Sequence, residues 1–324
     1  MFDVITIGSA IKDVFLISDK FTFIRSKTFE TGIGECVSLG SKIELDAVVH
    51  TTGGGATNAA VTFANLGFKT AAICRIGEDP EGAMILEQLR EKNVNTSMVV
   101  RVKRGITGYS TLMTADTGER TALIYRGVSG LFQTKDIQFD SCKTHWFYVT
   151  SLGGNIELVK KLIKRADQCR AHIAWNPGRT EIEKNPLLVR ALAKQVAVFI
   201  VNTEEGAELT GHKDVLNMLE PLSSRRNVVI ITDGERGSYT FSESQTIKSE
   251  TSRVKSISQT GAGDAFGSGF VAAFIKTGDI KISVATGTAN AEGVIQKIGA
   301  KAGILKAWPK PQTLKKIPIR LLEI

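Results

Sequence analysis

The sequence predicts an α/β fold: a mainly parallel central sheet covered by helices on both faces, with a small antiparallel β lid. Short apolar runs alternate with helical patterns over most of the 324 residues, as successive βα units do. Glycine-rich turns stand directly between several of those runs and the helices that follow. Two stretches, 33–50 and 107–126, lack helical periodicity and break the rhythm.

Residues 2–8, an apolar run closed by a glycine, read as the first strand. A glycine run opens a helix over 54–66, residues 70–76 form a strand, and 80–92 a helix with a charged outer face. Four further short apolar runs, 145–150, 172–176, 196–202 and 227–232, have the length of buried strands. Helical segments lie near 156–168, 186–194 and 215–222, and a strand near 238–241. Two long helices, 262–276 and 281–298, each apolar on one face, follow towards the C-terminus. In the stretches that break the rhythm, 33–50 alternates polar and apolar residues, and 107–126 reads as two strands around the tight-turn sequence Asp116-Thr117-Gly118-Glu119. Together they predict a lid built from about 10–50 and 105–127 on a single domain spanning 1–324.

Composition narrows the function classes. Hydrophobic content of 42% and charged content of 23% are ordinary for a globular protein, and no apolar run approaches the ~20 residues that span a bilayer. The start of the chain enters a strand pattern without the layout of a signal peptide. Cys36, Cys74, Cys142 and Cys169 are far apart with no CxxC, which argues against a zinc site or disulfide framework and for a reduced, cytoplasmic setting. The net charge of +8 comes from scattered lysines and arginines without aromatic interleaving. Solvated faces and attraction for anionic substrates account for it better than a nucleic-acid partner.

The most informative stretch is 258–266, SQTGAGDAF, which runs directly into a helix. Gly261 and Gly263 let successive N–H groups point at one spot, and a helix N-terminus adds about half a positive charge there. An acid in such an anion site, Asp264, makes sense if the site must also take a proton from a group attacking a phosphate. The plainer alternative is a glycine turn with a helix-start acid. Three other constellations share the chain. Thr52-Gly53-Gly54-Gly55-Ala56-Thr57-Asn58 opens a helix, and Asn58 offers the donor and acceptor that sugar hydroxyls need. Asp13, soon after the first strand, is a second hydroxyl-binding candidate, or else a loop acid or helix cap. Asn202-Thr203-Glu204-Glu205 ends a strand and suits a hydrated Mg²⁺, or else is a capping box. Thr232-Asp233-Gly234-Glu235-Arg236-Gly237 follows another strand and suits nucleotide phosphates or ribose.

In this order along one α/β chain, the four motifs resemble the ribokinase-like (PfkB-type) carbohydrate kinase family, from Gly8 to about Gly303, most specifically over TGAGDAFGSG at 260–269. The resemblance implies the ribokinase-like fold with its β lid, and transfer of the γ-phosphoryl group of ATP to a hydroxymethyl group, with Mg²⁺. It implies that Asp264 is the general base and that Gly261, Ala262 and Gly263 supply the anion hole. Asn202 and Glu205 would organise Mg²⁺ through water. Thr232, Gly234 and Gly237 would contact ATP, with 286–290 near the adenine. Asp13, Gly53, Gly54 and Asn58 would contact the acceptor. Ser258 departs from the pattern: many members carry there an acid that helps hold a monovalent cation, so no potassium site is assigned. The acceptor class stays open between a free sugar and a nucleoside, for which Phe21, Phe23 and Phe29 would offer a base-binding face. A sugar phosphate would call on Arg25, Lys27, Arg104 or Arg126. A non-catalytic sugar-binding sensor would tolerate loss of Asp264 or the glycines, and both are present. A dinucleotide-dependent dehydrogenase lacks its G-x-G-x-x-G after the first strand. Lid sheets that project in this way can pair two copies.

Overall fold

A computed structural model describes residues 1–115 and 120–322. The predicted tight turn at 116–119 lies outside them.

A nine-stranded sheet forms the centre. Six strands run parallel: Thr70–Ile73, Phe2–Ile7, Thr144–Val149, His172–Trp175, Val198–Asn202 and Val228–Thr232, in that spatial order. Ser238–Ser242, Gln245–Ser249 and Ile319–Leu322 extend it antiparallel at one edge, the last two unanticipated from the sequence. The alternation of side chains along a strand sorts the core into two layers. Ile5, Ile7, Phe147, Val149, Phe199, Val201, Val229 and Ile231 point to one face, against Leu158, Leu162, Val189 and Leu219. Val4, Trp146, Tyr148, Val198, Ile200, Val228 and Ile230 point to the other, against Phe63, Phe266, Phe270 and Val284. Helices Ile156–Cys169, Pro186–Ala193 and Val215–Leu222 therefore cover the first face, and Gly55–Asn65, Ala262–Thr277 and Ile280–Ile295 the second. The last two pack closely because small residues meet: a Cβ at Gly269 would stand 3.0 Å from Asn290 Cβ and 3.2 Å from Gly287 Cα.

The stretches predicted as a lid form a second sheet of four strands, Arg120–Tyr125, Gly108–Thr114, Ile11–Ile17 and Ala47–Gly53. Its outer pairs are antiparallel, and its two inner strands run parallel. Asp13, the second hydroxyl-binding candidate, stands neither in a loop nor at a helix cap but on a strand of this sheet, opposite Thr51 and Ser110. Within 33–50 only 33–36 and 47–50 are strand; Ile33–Cys36 pairs with Thr22–Arg25 in a separate ribbon. The predicted strand 70–76 breaks at Cys74. Arg75–Gly77 leaves the main sheet to pair with Val100–Val102, and buried Arg75 bonds Asp136 at 2.5 Å. Among the described residues no helix is long and apolar enough to cross a membrane, and all four cysteines are free thiols.

Candidate active site

The site gathers at the carboxyl ends of the parallel strands, where loops leave a sheet open to ligands. Helix Ala262–Thr277 begins there. Gly261 adopts φ 82, a left-handed conformation that suits glycine, and any side chain on it would run into Ala300. Gly263 and Asp264, in the first turn of that helix, have N–H groups with no intrahelical acceptor. The N–H of Ala262 closes a turn onto Gln259 O at 3.2 Å. The Ala262 N–H is thus engaged within the turn, while Gly263 and Asp264 stand at the helix start.

Asp264 is tied to the other end of the chain. Asn58 Nδ2 donates to its Oδ2 at 2.8 Å, while Asn58 Oδ1 is buried without a hydrogen-bond partner, an acceptor ready for a hydroxyl. Asn58 lies in the first turn of helix Gly55–Asn65, whose entry is set by Gly54 at φ 98 and by Ser9 Oγ accepting from Gly55 N at 3.0 Å. Asp13 reaches the same place from the lid. It is buried, accepts from Ser110 Oγ, and lies so close to Gly53 that a Cβ there would overlap its Oδ2. The structure therefore brings Asp13, Gly53, Gly54, Asn58 and Asp264 together, as the motifs predict.

A residue from no motif completes the cluster. Lys301 Nζ donates to Thr52 O at 2.8 Å and to Thr52 Oγ1 at 2.9 Å. Burial raises Asp13 and Asp264 above the usual carboxylate range; the Ser110 hydrogen bond to Asp13, the Asn58 hydrogen bond to Asp264 and the Lys301 charge pull back. Burial also lowers Lys301 to about 7, against the pull of both acids. A lone lysine in the loop after a helix gives no sequence signal of this role.

Beside the anion site lies a cavity of about 660 Å³ lined by Thr232, Gly234, Gly237, Ala262, Gly263, Phe266, Thr288 and Glu292. Its ceiling is the turn after Val228–Thr232. Gly237, at φ 90, sits so near Ser249 O that a side chain would collide with it. Of the stretch 286–290, Thr288 lines the cavity, whereas Asn290 is buried between Ala265 O and Thr62 Oγ1 and ties its own helix to two others. A second cavity of about 390 Å³, lined by Met98, Lys135, Asp136 and neighbours, contains none of these residues.

Asn202 pairs in register with Thr232 at the strand ends. Asn202 Oδ1 accepts from Glu205 N and Glu205 Oε2 from Asn202 N, both at 2.9 Å, a reciprocal cap. Each side chain keeps a further polar atom for a ligand. Burial, with Glu204, Glu208 and Glu181 nearby, pushes Glu205 up to about 7, an accumulation of negative charge that a divalent cation would relieve. No group of three or more His, Cys, Asp or Glu side chains placed to hold a metal ion occurs among the described residues. Ser258 is buried and offers only a hydroxyl, which accepts from Thr260 N at 3.4 Å.

A helix start holding a carboxylate, between a large cavity and a polar pocket, is an arrangement that suits an α/β phosphotransferase. The comparisons agree. The model of the pfkB family of carbohydrate kinases matches residues 1–307, and the chain belongs to that family. It is a kinase that phosphorylates an alcohol group. It is 25% identical over 246 residues to a sugar kinase of Archaeoglobus fulgidus, covering 74% of this chain and 96% of that one. It is also 25% identical over 277 residues to a ribokinase of Staphylococcus aureus, covering 82% and 89%. Solved structures share the fold. A nucleoside kinase of Methanocaldococcus jannaschii superposes with a TM-score of 0.77 at 19% identity, over 97% of both chains. A putative ribokinase II of E. coli in complex with ATP and Mg²⁺ superposes with a TM-score of 0.76 at 16% identity, over 94% and 96%.

Proposed function

We propose that this kinase transfers the γ-phosphoryl group of ATP to the primary hydroxyl of a free sugar, ribose-like or related. The observation that carries the reading is the Asn58–Asp264 bond, which fixes a carboxylate at a helix N-terminus between the nucleotide-sized cavity and the pocket of Asp13 and Gly53. The Gly234–Gly237 turn and Thr232 hold ATP. The helix start at Gly261–Gly263 receives the moving phosphoryl, with the stabilisation of developing charge on which such transfers depend. Asn202 and Glu205 would hold Mg²⁺ through water, and when bound it would supply neutralisation of phosphate charge. Asp13 and Asn58 orient the acceptor. Asp264 takes the hydroxyl proton as that oxygen bonds to the γ-phosphorus and the bond to ADP breaks. The four-stranded sheet acts as a lid, because Asp13 and Gly53 stand on it and so bring its inner strands to the acceptor.

Nucleosides are the competing acceptors. Of the aromatics proposed for a base, Phe21 is buried and Phe29 packs on Gly34 within the Thr22–Cys36 ribbon, which leaves exposed Phe23 as the one free aromatic face of the three. A thermal-shift screen of free sugars and nucleosides, with and without a non-hydrolysable ATP analogue, followed by ADP-release assays on the hits, tests this. Stabilisation follows occupancy. A sugar should raise Tm and be turned over; turnover of nucleosides alone would replace the sugar reading, and no turnover with any acceptor would overturn it.

A further inference from the structure

Two carboxylates, Asp13 and Asp264, converge on one acceptor pocket, and the charge of Asp13 makes it harder for Asp264 to ionise. A base must be ionised before it can accept a proton, so the pocket needs a compensating cation. Lys301 is placed for this by the backbone. The segment 299–301 is wedged between lid and anion site: a Cβ on Gly299 would stand 3.1 Å from Thr51 Oγ1, and Ala300 fills the space beside Gly261. The ammonium then spends two N–H groups on Thr52, immediately before the glycine that touches Asp13. Thr52 Oγ1 in turn donates to Gln88 Oε1, which fixes the direction of the chain of bonds.

We propose that Lys301 is a positioning residue of the transfer, anchored on Thr52, whose protonated form serves as the counter-charge keeping Asp264 ionised beside Asp13; this rests on the reading of Asp264 as the base. The other groups facing the cluster do not replace it. Cys74, also beside Lys301, is pushed up to about 12 by burial and stays a neutral thiol. Tyr148, beneath Asp264, is raised by burial and stays a neutral phenol. Lys12 faces Asp13 and Glu81 and places its Nζ 3.5 Å from Met84 Sδ.

The test is the titration of the Asp264 carboxyl carbon, followed by NMR in the full-length protein as wild type, K301Q and K301R, with the pH profile of kcat measured alongside. K301Q keeps a donor for Thr52 and removes the charge. It should raise the Asp264 midpoint by about 1–3 pH units and move the acid limb of kcat the same way, whereas K301R should keep both near wild type. An Asp264 midpoint unmoved in K301Q would overturn the proposal, whatever happens to stability. If K301Q does not fold, Thr52→Val removes one anchor of the ammonium and should shift the midpoint upward too; no shift there overturns it equally. The titration needs no turnover, so failure of the kinase reading, no acceptor phosphorylated by the wild type, is seen separately.

Discussion

Replacing Asp264 by Asn isolates the proton-accepting step from everything else the helix start does. The substitution is isosteric. Its amide oxygen can still accept from Asn58 Nδ2, which now lies 2.8 Å from the carboxylate, and Gly261 and the first-turn N–H groups are untouched. The amide nitrogen can then donate to the acceptor hydroxyl but cannot take its proton. Binding of ATP and acceptor should change little, while turnover loses the contribution of a positioned base, about 10²–10⁴-fold, or roughly 3–5 kcal/mol of barrier. Stability moves the opposite way. Burial raises the folded-state pKa of Asp264 above its unfolded value, so the stability linked to its protonation is fully present below the unfolded value and is lost as pH rises through the folded one. At neutral pH the ionised group is therefore a burden that Asn removes. Asp264→Asn should melt no lower than wild type at pH 7, and its advantage should shrink as the pH falls through the folded midpoint of Asp264. Calorimetric titration with an ATP analogue, steady-state ADP release and thermal melts across pH measure all three. A kcat within about fivefold of wild type would refute Asp264 as the base, and an ATP affinity lost along with kcat would show that the substitution had damaged the anion site instead.

Two further predictions follow from the lid. Gly53→Ala places a methyl group where Asp13 Oδ2 now lies, at a position without strained backbone, so it should raise KM for the acceptor by about tenfold or more, the worth of one charged hydrogen bond, and leave KM for ATP unchanged; equal effects on both would refute the acceptor assignment. Val48, Leu123, Ile124 and Tyr125 expose apolar surface on the lid strands, which suits pairing of two copies; sedimentation velocity should show a dimer that Ile124→Glu dissociates, and a monomer at all concentrations would dismiss it.

Much of the site was legible because it is made by rules that act over a few residues. A left-handed turn before a helix needs glycine, and Gly261 supplies it. The spacing of Asn202 and Glu205 places each within reach of the other's backbone N–H, so the cap forms there and one face of the first turn carries both side chains. Apolar runs of strand length, separated by helical ones, require a covered parallel sheet, and strand ends carry the loops. Other features were not legible for the same reason. The strand 11–17 looks like a loop because its partners, 47–53 and 108–114, are remote in sequence, and only they turn Asp13 inward. The strands 245–249 and 319–322 are edge additions whose pairing is equally remote.

The sequence by itself determined the chemistry available: an acid at a helix start, an amide and a carboxylate at a strand end, glycines at the turns that enter helices. These depend on local sterics and hydrogen bonding, which travel with the residues. Only the tertiary structure decided which groups share a pocket. Asn58 and Asp264 are 206 residues apart, and Lys301 reaches Thr52 across 249. Nothing local links them; they meet because packing the two layers of the core on one sheet leaves a single arrangement of its ends, and there two carboxylates and an ammonium must settle their charges together.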